Sequence, residues 1–355
     1  MQKMTNSRAK AARRCFRYHF YSYEITRRPK SSSEALRFGT LFHVALEAWW
    51  KCFLPKKRVT WKDPDYPLQE AISQIQGKFD ESGFDGEDWR FDVMARVLMV
   101  GYHRLWRANM NDLEVIAVEK EFTGPLVNPA TGAASRTFEI GGKIDAMVRD
   151  TDGDVYLVEH KTSSQDINEG SDYRERLRMD SQISAYLSAE GPLGFDLDGC
   201  LYDIVRKPSM KPYKATPEED RKYTTKDSKL KDGTLRPAGS LYANQRARDE
   251  TREEFFVRMY DHVLEEPHRY FQRPVIARSK AELTESKFDF WHMSKSIRER
   301  QLDDAGVYAW PRNPDACYHW SNLCEYYRVC TGEADIEDDL LFKTTSRHEE
   351  LTPAK

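Results

Sequence analysis

Three short runs, residues 113–122, 137–149 and 155–161, are rich in Val, Ile and Phe and partly alternate apolar with polar positions. Asn128-Pro129-Ala130-Thr131-Gly132 separates the first two, and Asp150-Thr151-Asp152-Gly153 separates the second and third. Glycine tolerates positive φ, while Asn, Asp and Pro favour turn conformations, so these separators predict an antiparallel three-stranded meander. A meander must bury at least one apolar face, and the flanking sequence supplies helices to cover it.

Upstream, Phe38, Leu41, Phe42, Ala45, Leu46, Trp49 and Trp50 recur at helical spacing over residues 36–53. After a Pro/Asp break at 63–67, helical patterning resumes over 67–80. It returns over 89–110, with Val93, Val97, Val100, Leu105 and Trp106 in the stripe. Residues 7–20 read as a short basic helix that Ser7 could cap. Downstream, 173–190 reads as a helix stopped by Gly191-Pro192 and 200–205 as a fourth strand. Residues 250–265 and 279–300 read as helices with a strand at 270–277 between them.

This order predicts an α/β fold: a central mixed sheet flanked by helices, with a helical N-terminal lobe and a Cys-rich C-terminal segment. One domain is expected over residues 1–335. It comprises a helical part (1–112), a catalytic sheet and helix (113–208), a basic insertion (209–248) and C-terminal helices with clustered cysteines (249–335). The acidic residues 336–355 are expected to be disordered.

The net charge of −3 gives no global basic field, so any nucleic-acid surface has to be local. Residues 1–14 are polar and basic without the apolar core of a signal peptide, and no run approaches the ~18 apolar residues of a membrane span. A cytoplasmic location and no membrane partner are therefore expected. Six cysteines in 355 residues are too few for a disulfide scaffold, and clustered cysteines in such a chain point to metal. The chain carries no G-x-x-x-x-G-K-[ST] loop, so it shows no motor of its own.

The meander carries the chemistry. Asp145 lies in the second run and Glu159-His160-Lys161 ends the third. Residues two apart on a strand share a face, so Glu159 and Lys161 project together while Val158 points away. If Asp145 sits on the adjacent strand, two carboxylates and an ammonium converge. Such hard oxygen ligands suit Mg²⁺ or Mn²⁺, with the His160 peptide carbonyl as a further candidate ligand. The metal would acidify a water and offset phosphate charge. Lys161 would position that water or balance developing charge. Alone, Glu-x-Lys says little: Glu285-Ser286-Lys287 repeats it with no acidic strand before it, and a same-face salt bridge is the plain reading. Gln182 and Tyr186, four apart on the next helix, share a face and could contact a nucleic-acid backbone or stack a base. An ordinary exposed helix face is the plain alternative.

Gly142-x-Ile144-Asp145, then Glu159-x-Lys161, then Gln182-x-x-x-Tyr186 resembles the motif order of the PD-(D/E)XK nucleases of the RecB/AddB type. That family also carries a histidine after a glycine on an N-terminal helix, and Gly39-Thr40-Leu41-Phe42-His43 matches it. The resemblance implies a restriction-endonuclease-like core with His43 as a metal ligand beside Asp145 and Glu159. Without it, His43 on an aromatic helix reads as a core histidine. The resemblance also implies a glutamate on the preceding strand, a place that Glu119 or Glu121 could fill.

Cys317, Cys324 and Cys330 fall within fourteen residues, a spacing that serves zinc or an iron–sulfur cluster. Three thiolates do not close a site. Cys15 is the candidate fourth ligand, with His19 and His319 as rivals if the metal is zinc. Cys52 in the apolar helix and Cys200 at a strand start read as buried small hydrophobes. AddB-type nucleases and their CRISPR-associated relatives hold a [4Fe–4S] cluster on one N-terminal and three C-terminal cysteines. The resemblance therefore implies that cluster on Cys15, Cys317, Cys324 and Cys330, in a structural role that clamps the two chain ends. The last two match the family's C-x5-C, while six residues rather than two separate Cys317 from Cys324.

Residues 206–248 hold twelve Lys/Arg against five Asp/Glu, with Tyr202, Tyr213 and Tyr223 nearby for stacking. Arg13, Arg14 and Arg17 offer a second basic set. A solvated insertion is the plain alternative, and Glu218-Glu219-Asp220 breaks the basic stripe. Together these features point to a metal-dependent DNA nuclease, an exonuclease acting on DNA ends or single strands in recombination or repair. Asp145, Glu159 and His43 would hold the metal, Lys161 would serve the attacking water, and Gln182 and Tyr186 would orient the strand. A helicase or recombination protein is a candidate partner. Two alternatives remain at this level: a non-catalytic DNA-binding or scaffold subunit of the same fold, and a zinc-binding interaction module.

Overall fold

In the computed structural model, which describes residues 1–30, 34–81, 89–229, 233–319 and 322–351, the meander forms where its turn residues place it. The sheet strands are β1 (Gln2–Met4), β2 (Glu114–Val127), β3 (Ala134–Arg149), β4 (Val155–Ser163), β5 (Gly199–Arg206), β6 (Phe271–Gln272) and β7 (Val275–Ile276). Gly132 (φ 72°) and Gly153 (φ 96°) take the left-handed conformation that the two β-turns demand. β2 pairs antiparallel with β3 and β3 antiparallel with β4, β5 adds parallel to β4, and β6 and β7 add antiparallel to β5.

One edge of β3 is shared by two partners. β4 pairs with it only from Ala146↔Val158 to Arg149↔Val155, and β1 pairs with it, in parallel, over Phe138–Ile140. Residues 141–145 lie between these two ladders, so the sheet forks there. β2 lines the opposite edge of β3 along nearly its whole length.

Helices cover both faces. The principal ones are α1 (Asn6–Arg14), α2 (Glu34–Lys51), α3 (Tyr66–Glu81), α4 (Trp89–Trp106), α5 (Ser181–Leu187), α6 (Arg252–Glu265) and α7 (Lys280–Leu302). Apolar residues of α2, α3, α4 and α6 form one core with Ala146, Val148, Val158 and Val205. Residues of α1, α5 and α7 form a second with Ile144, Met147, Leu157, Cys200, Tyr202 and Ile204. The expected class, a central mixed sheet flanked by helices, is what the chain adopts. No helix among the described residues is long and apolar enough to cross a membrane.

Several sequence expectations are corrected. The 7–20 helix breaks at Cys15, whose backbone is extended (φ −167°, ψ 125°), and Thr5 rather than Ser7 caps it by accepting from Arg8 N. The 173–190 helix also breaks. Asp180 caps a new start by accepting from Gln182 N, leaving a separate Asp172–Leu177 helix. The acidic tail is not disordered up to Leu351. Phe342–Thr344 pairs with Arg27–Pro29, Asp339 binds Arg27 at 2.9 Å, Glu349 binds Arg28 at 3.4 Å, and Thr5 Oγ1 donates to Glu350 at 2.6 Å. The tail orders because its acids meet N-terminal arginines. Tyr202, expected to stack bases, is fully buried. Tyr213 lies between the guanidinium groups of Arg246 and Arg258, at 4.4 and 3.9 Å from its centroid.

A buried polar network ties the sheet to the first helical layer. Asp203 of β5, 1% exposed, accepts from Arg273 Nε at 2.8 Å and from the Tyr102 hydroxyl of α4, and faces His160 Nδ1 at 2.9 Å. The Tyr102 oxygen in turn accepts from Trp50 Nε1 (2.8 Å) and Arg273 Nη2 (2.7 Å). Burial opposes charge on Asp203, but Arg273 and His160 outweigh it and hold the carboxyl well below the ordinary range. Removing one partner of a buried pair strands the other. Asp203→Ala is therefore expected to destabilise the fold by about 3–5 kcal/mol in denaturant unfolding, and Asp203→Asn by clearly less, because the amide still accepts.

Candidate active site

The register across the meander sets three acids in one row. The β2–β3 pairs Val118↔Ala146 and Lys120↔Ile144 place Glu119 opposite Asp145. The last β3–β4 pair, Ala146↔Val158, makes Asp145 and Glu159 the next in line. Like charges directly opposed destabilise a sheet. Both ladders yield at this row. Glu119 adopts φ 53°, a left-handed conformation costly for a non-glycine residue, and β4 leaves β3. A side-chain contact takes over where the ladder stops: His160 N–H donates to Asp145 Oδ2 at 2.7 Å.

His43 reaches this row from α2. Its Nε2 lies 3.3 Å from Asp145 Oδ1 and 3.9 Å from Glu119 Oε1. One donor atom each from His43, Glu119 and Asp145 lie within 4.8 Å of one another, a mixed nitrogen and oxygen set that suits a divalent cation. The structure thus resolves the choice on β2 in favour of Glu119, since Glu121 is exposed. Glu159 stands beside the trio rather than within it, with Oε1 2.5 Å from Lys161 Nζ.

Burial dominates the electrostatics. It pushes the Asp145 carboxyl up, and it pushes Glu159 up to about 7 despite Lys161, with Asp145 adding to the rise. Burial also holds His43 below its ordinary value, helped by His160, so its imidazole stays neutral and keeps a lone pair. Lys161 behaves oppositely. Burial opposes its charge, but Glu159 and Asp180 raise it, so it remains an ammonium. His160 turns its ring away from the row to Asp203, and burial there is outweighed by that carboxylate, which raises its value.

Gln182 is brought to the site: its Oε1 accepts from Lys161 Nζ at 3.3 Å. Tyr186 is not free to stack a base. Its ring is 7% exposed and packs edge-on against Phe122, and its hydroxyl accepts from Gln182 Nε2 at 3.4 Å. It fills the fork beside Gly142, where an added Cβ would lie 2.7 Å from the Tyr186 ring and 2.8 Å from Phe122. Glycine is required there for close approach. Gly39 is not under that constraint, since a Cβ would meet Thr162 at an ordinary 3.8 Å.

Two site residues escaped the sequence reading. Lys143 pairs with Glu119 at 2.5 Å, and its position two before Asp145 on the same strand was the available signal. Asp180 lies 3.8 Å from Lys161, and an aspartate just before Ser181-Gln182 has the form of a helix cap.

None of the six cysteines forms a disulfide, and Cys52 and Cys200 are buried as expected. Cys15 Sγ accepts from Asn313 N at 3.3 Å, and Cys324 N donates to Cys317 O at 2.8 Å. Cys330 lies within electrostatic reach of Cys15 and Cys317. His19 is stacked between Tyr23 and Trp310, and its Nε2 accepts from Arg8 Nε at 3.2 Å, so that nitrogen is engaged. The His319 side chain lies outside the described residues. Arg13, Arg14 and Arg17 hold the chain ends together: Arg13 covers Phe290, Arg14 covers Tyr18 and meets Glu325 at 3.5 Å, and Arg17 donates to Trp310 O.

No curated protein matches the chain. A solved structure described as "Crystal structure of SSO0001" is similar over 62% of this chain and 86% of its own, at 14% identity and a TM-score of 0.20, too low to carry an argument. The family model of the PD-(D/E)XK nuclease superfamily matches residues 3–331. With Asp145, Glu159 and Lys161 gathered at a forked sheet, the chain belongs to the PD-(D/E)XK nuclease superfamily.

Proposed function

We propose that this protein is an Mg²⁺- or Mn²⁺-dependent DNA nuclease, acting as an exonuclease on DNA ends or single strands in recombination or repair. The observation that carries the reading is the acidic row, Glu119, Asp145 and Glu159, with His43 at one end and Lys161 at the other. The exonuclease mode rests on the motif order and on the resemblance it supports. His43, Glu119 and Asp145 would hold the metal, joined by Glu159 and the His160 carbonyl. A divalent cation there supplies Lewis-acid charge to the scissile phosphate. Lys161, an obligate ammonium, orients the nucleophilic water and balances charge on the phosphate oxygens. Gln182 Oε1 accepts a hydrogen bond from Lys161 while its Nε2 donates to the Tyr186 hydroxyl, which orients the ammonium.

The test is cleavage of 5′- and 3′-labelled single- and double-stranded DNA with Mg²⁺ or Mn²⁺ against EDTA. Asp145→Asn and Lys161→Ala are each expected to lower cleavage at least ~100-fold. The stability of Asp145→Asn follows from the raised Asp145 value. Ionising that group costs stability above its unfolded value, so a neutral amide leaves the neutral-pH melting temperature equal or higher. Full activity in either variant sinks the site assignment.

The four cysteines are proposed to hold a [4Fe–4S] cluster in a structural role, with zinc as the lesser possibility. What supports this is the resemblance, together with Cys15 accepting from Asn313 N, Cys324 N donating to Cys317 O and the electrostatic reach of Cys330 to Cys15 and Cys317; among the described residues the four sulfurs are not gathered into a ligand set. Protein purified without oxygen is expected to be brown and to contain iron and sulfide, and Cys330→Ser is expected to lose both. A colourless, zinc-replete protein contradicts the cluster.

A further inference from the structure

A concavity is linked to Lys161 through Asp180, which forms part of its wall. A cavity of about 270 Å³ is bounded by Lys10 of α1, by Tyr173, Arg176 and Leu177 of the Asp172–Leu177 helix, by Met179, and by Asp180 and Ser181 where α5 starts. It exists because the expected 173–190 helix breaks, and the break sets Met179 on the surface with 85% of its area exposed.

Asp180 joins this cavity to the site. Its Oδ2 lies 3.8 Å from Lys161 Nζ and its Oδ1 lies 3.2 Å from Lys10 Nζ, so its charge is balanced on both sides. The remaining walls combine three chemistries. Tyr173 offers a ring, with the Arg176 guanidinium 5.5 Å from its centroid. Met179 offers an exposed, polarisable thioether on the cavity wall. Lys10, half exposed and paired with Asp180, offers an ammonium at the cavity edge. Apolar and aromatic faces with basic groups around them are the composition that receives a nucleobase and its phosphate. The Asp180 carboxylate adds an acceptor for base N–H groups. A base in a duplex is stacked and paired, and a cavity of this size has no room for the pair.

We propose that this cavity seats one unpaired nucleotide of the DNA strand, the neighbour of the phosphate that meets the acidic row, with Met179 and Tyr173 against its base and Lys10 and Arg176 on its backbone. The inference rests on the nuclease reading of the row. It makes the cavity a selector for single-stranded or unpaired ends and assigns Met179, which the motif order leaves out, to substrate binding.

The test pairs a protein change with a substrate change. Binding of a labelled single-stranded oligonucleotide to the full chain is measured by fluorescence anisotropy in EDTA, with one abasic position scanned inward from each end. An abasic site at one position is expected to weaken wild-type binding about tenfold. Met179→Ser, on an exposed side chain, is expected to weaken the intact strand about tenfold and to cause no further loss on the strand that lacks that base. Arg176→Ala is expected to weaken all strands. Met179→Ser that binds the intact strand like wild type, or that loses equally on intact and abasic strands, overturns the proposal. Cleavage of the same oligonucleotide by wild type with Mn²⁺ reports on the nuclease reading separately. Cleavage without the Met179–base coupling removes the cavity alone, coupling without cleavage removes the nuclease reading alone, and neither binding nor cleavage removes both.

Discussion

Three carboxylates in one row across three strands are the constraint on which the rest of this structure depends. Glu119, Asp145 and Glu159 fall in register because the two meander turns fix how β2, β3 and β4 align. A sheet that paired normally through this row would hold like charges face to face in a buried setting. The chain avoids this by ending the β3–β4 ladder at Ala146↔Val158 and by turning Glu119 to positive φ. The fork, the strained residue and the cations Lys143 and Lys161 are all responses to one electrostatic problem. A fold that only needed stability would have filled these positions with apolar residues.

The fork would collapse without support from behind and from the side. From the side, Tyr186 wedges against Phe122, and Gly142 gives it the room. From behind, Asp203 gathers His160, Arg273 and Tyr102 into one buried cluster, so the strand that carries Glu159 and Lys161 is locked to α4. His160 serves both layers: its backbone N–H holds Asp145 while its ring faces Asp203. Rigid elements holding polar groups in an otherwise unfavourable arrangement are what a preorganised catalytic site requires.

Much of this was legible in the sequence, and what was not has physical reasons. The meander and the helical layers follow from local patterning, while the Asp145, Glu159, Lys161 and Gln182 set drew its weight from their order and the family resemblance that order carries. Glu119 could not be separated from Glu121 because the choice depends on cross-strand register, which a turn sets and a sequence window does not show. The helix breaks at Cys15 and at Asp180 were hidden because apolar periodicity continues through both, and only the caps reveal them. The order of the acidic tail was invisible because its partners, Arg27 and Arg28, lie some three hundred residues away in the chain. The burial of Tyr186 is hidden for a related reason: helical spacing gives its face, but not that the face is buried.

The acidic row is held in waiting for a divalent cation. Burial keeps Asp145 and Glu159 above the ordinary carboxylate range, with Glu159 at about 7, so at and below neutral pH the metal-free site retains a proton that a bound cation must displace. Calorimetric titration with Mn²⁺ in two buffers of different ionisation enthalpy measures that proton directly. Proton release is expected on binding near pH 6, fading above pH 8, with affinity that rises between the two. Binding with no proton release at any pH, or binding that survives the combined loss of His43 and Asp145, would contradict it.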